Sequence, residues 1–452
     1  MRPKYLAIVL VLLALAVPAF PAQAGGVVSV CDEGHLLAAL SGGGTVTFTC
    51  SGTINLASTI TISANTTIDG SGRAVTISGN YAVRVFHVNS GISLTLKGLN
   101  IINGRAKNWS GGGGIRNHGT LNVYNSTFTG DQSDDWGGAI SNESDGTLNV
   151  SQTTFSGNTG NGNGGAIENF GTATVSNSTF YNSYSTMGGA IDNQNGTLTV
   201  VNSTFSGNRG LIGATISTYG PVPVLLKNTI VANSIADEGC YGPINDGGGN
   251  LGYPDTSCPG IHLNPLLGPL QNNGGPTQTM ALGAGSAAID AANDATCAAP
   301  PVNNRDQRGA IRPSGAHCDI GAVEQGAPAL PRPISVAIDI KPGSDPNSVN
   351  CRNPNGVIAV AVLTTDTFDA TTVDHTTVIF EGAVETHVDH KTGEPTRHEE
   401  DVDGDGDTDL VFHFRLGSPG LTCESTEAAL WGETFAGLPI LGTDSVRMVG
   451  GG

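Results

Sequence analysis

Between residues 113 and 208 the chain repeats itself about every 25 residues, and a repeat that short admits few folds. Four segments begin Gly113-Gly114-Ile115, Gly137-Gly138-Ala139-Ile140, Gly164-Gly165-Ala166-Ile167 and Gly188-Gly189-Ala190-Ile191. Each has an Asn two residues after the Ile (Asn117, Asn142, Asn169, Asn193), then Gly-Thr, a Val, and a Phe at 128, 155, 180 and 205. Short alternating stretches such as Leu148-Asn149-Val150 are separated by Gly, Asn, Ser and Asp, the pattern of half-buried strands between turns. No helical period is present, and a propeller blade needs roughly 40 residues. The repeat therefore predicts an all-β chain built on a right-handed parallel β-helix, its coils stacked at ~4.8 Å with equivalent residues above one another. Ile, Val and Phe then form inward stacks, while Asn117, Asn142, Asn169 and Asn193 form a ladder of amides. Asn125, Asn177 and Asn202 make a second column, interrupted by Gln152. Asn125, Asn142, Asn177 and Asn202 also match the glycosylation sequon, but turn and ladder roles account for them without it.

Composition agrees with narrow turns. Glycine is 65 of 452 residues, and charged residues are only 13%, against roughly 25% in ordinary soluble domains. The net charge of −19 makes nucleic acid an improbable partner. That charge is unevenly placed. Residues 25–230 hold 10 acids and 8 bases, whereas 334–452 hold 20 acids and 6 bases.

Residues 1–24 have Arg2 and Lys4, an apolar run from Leu6 to Val17, and Ala22-Gln23-Ala24, the layout of a secretory signal peptide. The expected mature chain is exported, secreted or cell-surface, with no membrane span. Its organisation is read as an N-terminal cap over 25–70, with a short helix over Asp32–Leu40 presenting Leu36, Leu37 and Leu40. β-helix repeats follow over 71–235, a terminal coil and further region over 236–326, a Pro-rich linker over 327–333, and an acidic β-sandwich-like domain over 334–452. Eight cysteines in an exported chain favour disulfides. Sequence does not dictate their connectivity, but they fall in four neighbouring pairs, Cys31/Cys50, Cys240/Cys258, Cys297/Cys318 and Cys351/Cys423, and those pairings are the expectation.

The repeat resembles that of the polymorphic outer membrane protein family, marked by GGAI with F-x-x-N. Phe155-Ser156-Gly157-Asn158 and Phe205-Ser206-Gly207-Asn208 carry the second element, whereas Phe128 is followed by Asp131 and Phe180 by Ser183. The resemblance covers about residues 88–233 and implies a surface β-helix with an adhesive role. Residues 262–324 resemble the choice-of-anchor Q domain. Asn264-Pro265-Leu266-Leu267-Gly268-Pro269-Leu270, Asn273-Gly274-Gly275-Pro276-Thr277, Ala288-Ile289-Asp290, Asp306-Gln307-Arg308-Gly309 and Cys318-Asp319-Ile320-Gly321-Ala322-Val323-Glu324 carry that likeness. It implies surface display and brings no chemistry. Asp306, Arg308, Arg312, Asp319 and Glu324 are read as a buried ion-pair network closing the last coil.

The strongest chemical motif is Asp401-Val402-Asp403-Gly404-Asp405-Gly406-Asp407-Thr408-Asp409. Alternate carboxylates converge on one hard cation, and glycine at the sixth position permits the turn, so Asp401, Asp403, Asp405, Asp407 and Asp409 are candidate Ca2+ ligands. Phe412 stands where an EF-hand loop has Glu, and a strand follows instead of a helix. The segment thus resembles the calcium loops between strands of extracellular modules, with Glu399 or Glu400 as candidates to complete the shell.

Two functions compete. One is an adhesive, glycan-binding or structural module that uses a long rigid face for repeated weak contacts with an extracellular glycan or cell-surface ligand. Its candidate sugar-stacking aromatics are few: Trp109, Tyr124, Trp136, Phe170 and Tyr181. The alternative is a polysaccharide lyase or glycoside hydrolase. Arg116, Ser141, Glu168 and Asp192 stack on an outward-facing column, with Glu168 and Asp192 one coil apart, near the carboxylate separation of a retaining glycosidase. A solvated charged face explains that column more simply, and the non-catalytic function is preferred.

Overall fold

The computed structural model describes residues 25–449 except 109, 237, 329–333, 345, 354, 355, 382, 389–394, 417–420, 422, 424, 426 and 437. Residues 1–24, expected to be a signal peptide, and Trp109 lie outside the described residues. The rest is nearly all β.

Three parallel sheets wind into a β-solenoid of about eight turns. One runs in ten strands from Gly25–Val28 to Ile244–Asp246, a second in nine from Gly52–Asn55 to Leu251–Tyr253, and a third in eight from Ile60–Ile62 to Cys240–Tyr241. Register follows the sequence repeat: Ile115 stands over Ile140, Ile167 and Ile191, and Phe128 over Phe155, Phe180 and Phe205. The phenyl rings stack with centroids 4.5–5.0 Å apart. The expected Asn ladder is continuous and buried. Asn117 Nδ2 donates to Asn142 Oδ1 at 2.7 Å, Asn142 to Asn169 at 2.7 Å, and Asn169 to Asn193 at 2.6 Å.

Corners explain the second Asn column. Asn125, Gln152, Asn177, Asn202 and Asn228 all have φ between 44° and 52°. Asn is the non-glycine residue best suited to that left-handed region. The Gly-Gly pair of each repeat has two separate causes. A Cβ on Gly164, at φ +60°, would lie 2.3 Å from the Ile167 carbonyl oxygen, and one on Gly165 would lie 2.0 Å from the Gly189 carbonyl of the next coil. The first glycine serves the turn and the second lets the coils approach.

F-x-x-N has an equally concrete role. Asn158 Oδ1 accepts the Asp131 N–H at 3.0 Å while its Nδ2 donates to the Phe128 carbonyl at 3.1 Å. Asn208 repeats this one coil-pair later with Ser183 and Phe180. Asp131 takes the same position against Gly104, accepting its N–H at 2.6 Å.

The same register extends through residues 25–70, where Gly25 pairs with Thr45 and Thr45 with Thr67. A helix, Glu33–Ala39, is inserted there, N-capped by Asp32 accepting the His35 N–H at 2.9 Å. It buries Leu36 and Ala39, one turn apart, whereas Leu37 is 44% exposed, contrary to the apolar face expected for it. All four cysteine pairs are disulfides as expected: Cys31–Cys50, Cys240–Cys258, Cys297–Cys318 and Cys351–Cys423.

Residues 262–324 cover Ile230 and Leu251 of the last coils through Leu282, Ala288 and Ile320. They also double back along the flank, which the expected closure of the last coil does not anticipate. Gln307 Nε2 donates to Thr154 Oγ1 at 2.9 Å, Thr179 Oγ1 donates to Gln307 Oε1 at 2.6 Å, and Ala322 N donates to Thr204 Oγ1 at 2.9 Å. The charged cluster is buried: Arg308 pairs with Asp306 at 2.8 Å, and Arg312 lies 3.7 Å from Glu324 while donating to the Asp319 and Gly321 carbonyls.

The described part of residues 334–449 forms two mainly antiparallel sheets, of five and four strands, and a two-stranded parallel pair, Ser348–Asn350 with Arg447–Val449, around a core including Val360, Phe380, Phe412, Phe414, Leu430 and Ile440. The strand Glu427–Thr434, not anticipated from sequence, sits between Val373–Phe380 and Pro439–Ser445. Its Ala, Gly and Glu content gives it little β-propensity, and its two partners create it.

Candidate functional site

The aspartate loop joins two antiparallel strands, His398–Glu400 and Asp409–Arg415, with Glu400 opposite Asp409. Gly404 and Gly406 adopt φ of +80° and +94°, and the carboxylates fold over the turn they make. Asp401 accepts the Gly404 N–H at 2.8 Å, Asp403 that of Asp405 at 3.2 Å, and Asp405 that of Asp407 at 3.1 Å. One oxygen each from Asp401, Asp403 and Asp409 lie within 4.8 Å of one another, as do oxygens of Asp403, Asp405 and Asp407. Asp409 is fully buried and anchors the loop, accepting the Thr364 N–H at 2.7 Å and the Val402 N–H at 2.9 Å. Desolvation in this crowded loop, with Asp405 alongside, pushes the Asp407 carboxyl up to about 6, and its Oδ1 has no hydrogen-bond partner. An all-oxygen anionic donor set suits a hard divalent cation such as Ca2+. Glu399 is held instead by Arg397 at 2.6 Å, and neither it nor Glu400 is among the carboxylates that converge.

The column Arg116, Ser141, Glu168 and Asp192 stands in register as expected, but it is not a solvated face. Ser141, Glu168 and Asp192 have no solvent exposure. Backbone of the glycine turns lies over these strands: a Cβ on Gly111 would meet Ser141 Oγ at 2.6 Å, and one on Gly164 would meet Glu168 N at 2.8 Å. Burial, reinforced by Asp192, drives Glu168 well above the usual carboxylate range, and burial raises Asp192 as well. Asp192 accepts the Ser217 hydroxyl, whereas neither oxygen of Glu168 has a hydrogen-bond donor. Arg116 is partly exposed and pairs with Glu143 at 2.7 Å, not with the buried acids. The pair stands one coil apart as expected, but both side chains are enclosed and do not present an outward face to a polymer.

Of the candidate aromatics, Trp136 and Phe170 pack edge to face at 5.6 Å, and Tyr181 is half-buried. Tyr124 lines a cleft of about 600 Å³ between the outward face of the ten-stranded sheet and the C-terminal domain. The solenoid wall also supplies Thr95, Asn122 and Gln152, and the opposite wall supplies Trp431 and Thr443. Trp431 is 41% exposed. It lies outside the repeat, where no periodicity marks an exposed aromatic. Its signal was an isolated Trp in the acidic domain.

Among the described residues, no helix is long and apolar enough to cross a membrane. No family model matches the chain, and no curated protein matches it.

Proposed function

We propose that this chain is an exported, cell-surface or secreted adhesive module that binds an extracellular glycan in the cleft beside Trp431, its C-terminal domain stabilised by Ca2+ on the aspartate loop. The observation that carries this reading is the composition of the cleft. An exposed indole faces rows of amides and hydroxyls, which is what a sugar needs for stacking its apolar face and hydrogen-bonding its edge. Those rows recur along the solenoid, with Asn149 Nδ2 donating to Asn122 Oδ1 at 2.9 Å and Thr174 and Thr199 in the same register. A regular polymer can engage such rows several times weakly. Four disulfides fit an oxidising compartment, and the likeness to polymorphic outer membrane protein repeats and choice-of-anchor Q domains supports surface display.

The test is retention of the purified mature chain on a panel of immobilised bacterial cell-wall and host polysaccharides, with Ca2+ or chelator. At least one polysaccharide is expected to retain it. Trp431→Ala should weaken that binding at least about tenfold, as loss of a central aromatic anchor does. Retention of no polysaccharide, or equal binding by Trp431→Ala, sinks the reading.

A further inference from the structure

Three histidines of the C-terminal domain come together in a way the glycan and calcium readings do not use. They lie on three neighbouring backbone segments. His398 opens the strand His398–Glu400, which pairs with Asp409–Arg415 so that His398 stands opposite Val411. His413 is two residues beyond Val411 and therefore on the same face, on the diagonal from His398. His387 lies on the segment that ties both together: Thr386 N donates to the His413 carbonyl at 2.8 Å, and Thr396 N donates to the His387 carbonyl at 2.8 Å. Glu385 is buried and fixes two of the three, accepting the His387 N–H and the His413 N–H, each at 2.7 Å.

The rings converge. One ring nitrogen from each histidine lies within 4.8 Å of the others. His398 Nε2 and His387 Nδ1 are 2.8 Å apart, and the His413 ring stands nearly perpendicular to both, with centroids at 5.5 and 5.8 Å. His413 Nδ1 is enclosed and has no hydrogen-bond partner. Two imidazole nitrogens so close require a proton or a cation between them, and a third imidazole nitrogen within 4.8 Å of both favours the cation. A tetrahedral ion bound at ~2.0–2.1 Å holds its nitrogen ligands roughly 3.3 Å apart, inside the span these rings already cover.

The geometry points to a three-imidazole site, His387, His398 and His413, for a late first-row divalent cation of the zinc type, with its fourth position open to water. Nitrogen donors select such an ion over Ca2+, and the oxygen-only aspartate loop that follows Glu400 selects the reverse. The hairpin thus carries two sites of opposite ligand preference.

The experiment is calorimetric titration of Zn2+ into the chelator-stripped mature chain in excess Ca2+, so that the aspartate loop is already satisfied. One Zn2+ per chain is expected. His387→Ala, on an exposed loop, and His398→Gln should each weaken it at least about tenfold. Co2+ in place of Zn2+ should give the visible absorption of a tetrahedral nitrogen-rich site in the unsubstituted chain, a readout that needs no variant to fold. No Zn2+ uptake in Ca2+ overturns the inference. So does full uptake by the His387→Ala, His398→Gln double variant.

Discussion

Asp131→Asn should stabilise the solenoid, and by an amount that depends on pH. At the equivalent position two other coils carry Asn158 and Asn208, each accepting a backbone N–H from the preceding coil and donating to a carbonyl of it. Asp131 keeps the first bond, from Gly104 N–H, but as a carboxylate it cannot donate the second, and its Oδ2 is buried without a partner. Burial accordingly raises its carboxyl well above the usual range, the Gly104 hydrogen bond opposing this only in part. A raised folded-state value means that the carboxyl's favourable contribution is complete below the unfolded value of about 3.9. It is lost as pH climbs through the folded value. At low pH the protonated carboxyl can donate as the amide does, so the variant gains little. At pH 7 it removes an unpartnered buried oxygen, worth roughly 1–3 kcal/mol, and adds a hydrogen bond worth about 1 kcal/mol. A net gain of roughly 2–4 kcal/mol corresponds to a rise of about 4–16 °C in the unfolding midpoint of a unit this size. Scanning calorimetry of the disulfide-intact mature chain at pH 3.5 and pH 7 reads both numbers. Asn158→Asp should do the opposite, losing stability as pH rises. A midpoint shift for Asp131→Asn that is the same at both pH values, or negative at pH 7, refutes the argument.

Removing a rung of the amide ladder should be costly: Asn142→Ala leaves Asn169 Oδ1 without its donor and takes the Asn142 amide from the Gly146 and Thr172 carbonyls in a dry interior, for a loss of roughly 2–5 kcal/mol in denaturant unfolding. Glu168→Gln should raise the midpoint at pH 7 and leave it nearly unchanged at pH 3.5, because burial raises this carboxyl too. Equal shifts at the two values would mean that Glu168 titrates in the fold as it does in the unfolded chain. Phe155→Ala removes the ring stacked between Phe128 and Phe180 and should cost about 3–5 kcal/mol. Chelation of Ca2+ should lower the unfolding midpoint of the C-terminal domain, and Asp403→Asn with Asp405→Asn should abolish that dependence; a midpoint indifferent to chelator would remove calcium from the account.

How much of this is visible in sequence follows from the kind of contact involved. In the solenoid, residue n touches residue n plus about 25, so the period of the repeat is already the list of contacts. The Phe stack, the Asn117 ladder and the strand register could be read directly, and the breaks at Asp131 and Ser183 marked the rungs that do not bond as Asn158 and Asn208 do. The aspartate loop was equally legible, because all its carboxylates lie within nine residues. Burial of the Glu168 column was not, since alternation along a strand says which side a residue faces and not whether a glycine turn returns over that side. The strand Glu427–Thr434, the cleft at Trp431 and the meeting of His387, His398 and His413 have no period at all. They depend on pairings such as Val357–Val362 with Asp409–Arg415, some fifty residues apart, whose register is chosen by a shared core. Sequence alone determined the coil, its turns and its acidic loop; tertiary structure decided which polar groups are dry, which aromatic faces solvent and which histidines meet. A repeat writes its own neighbours into the chain, and a sandwich finds them only on folding.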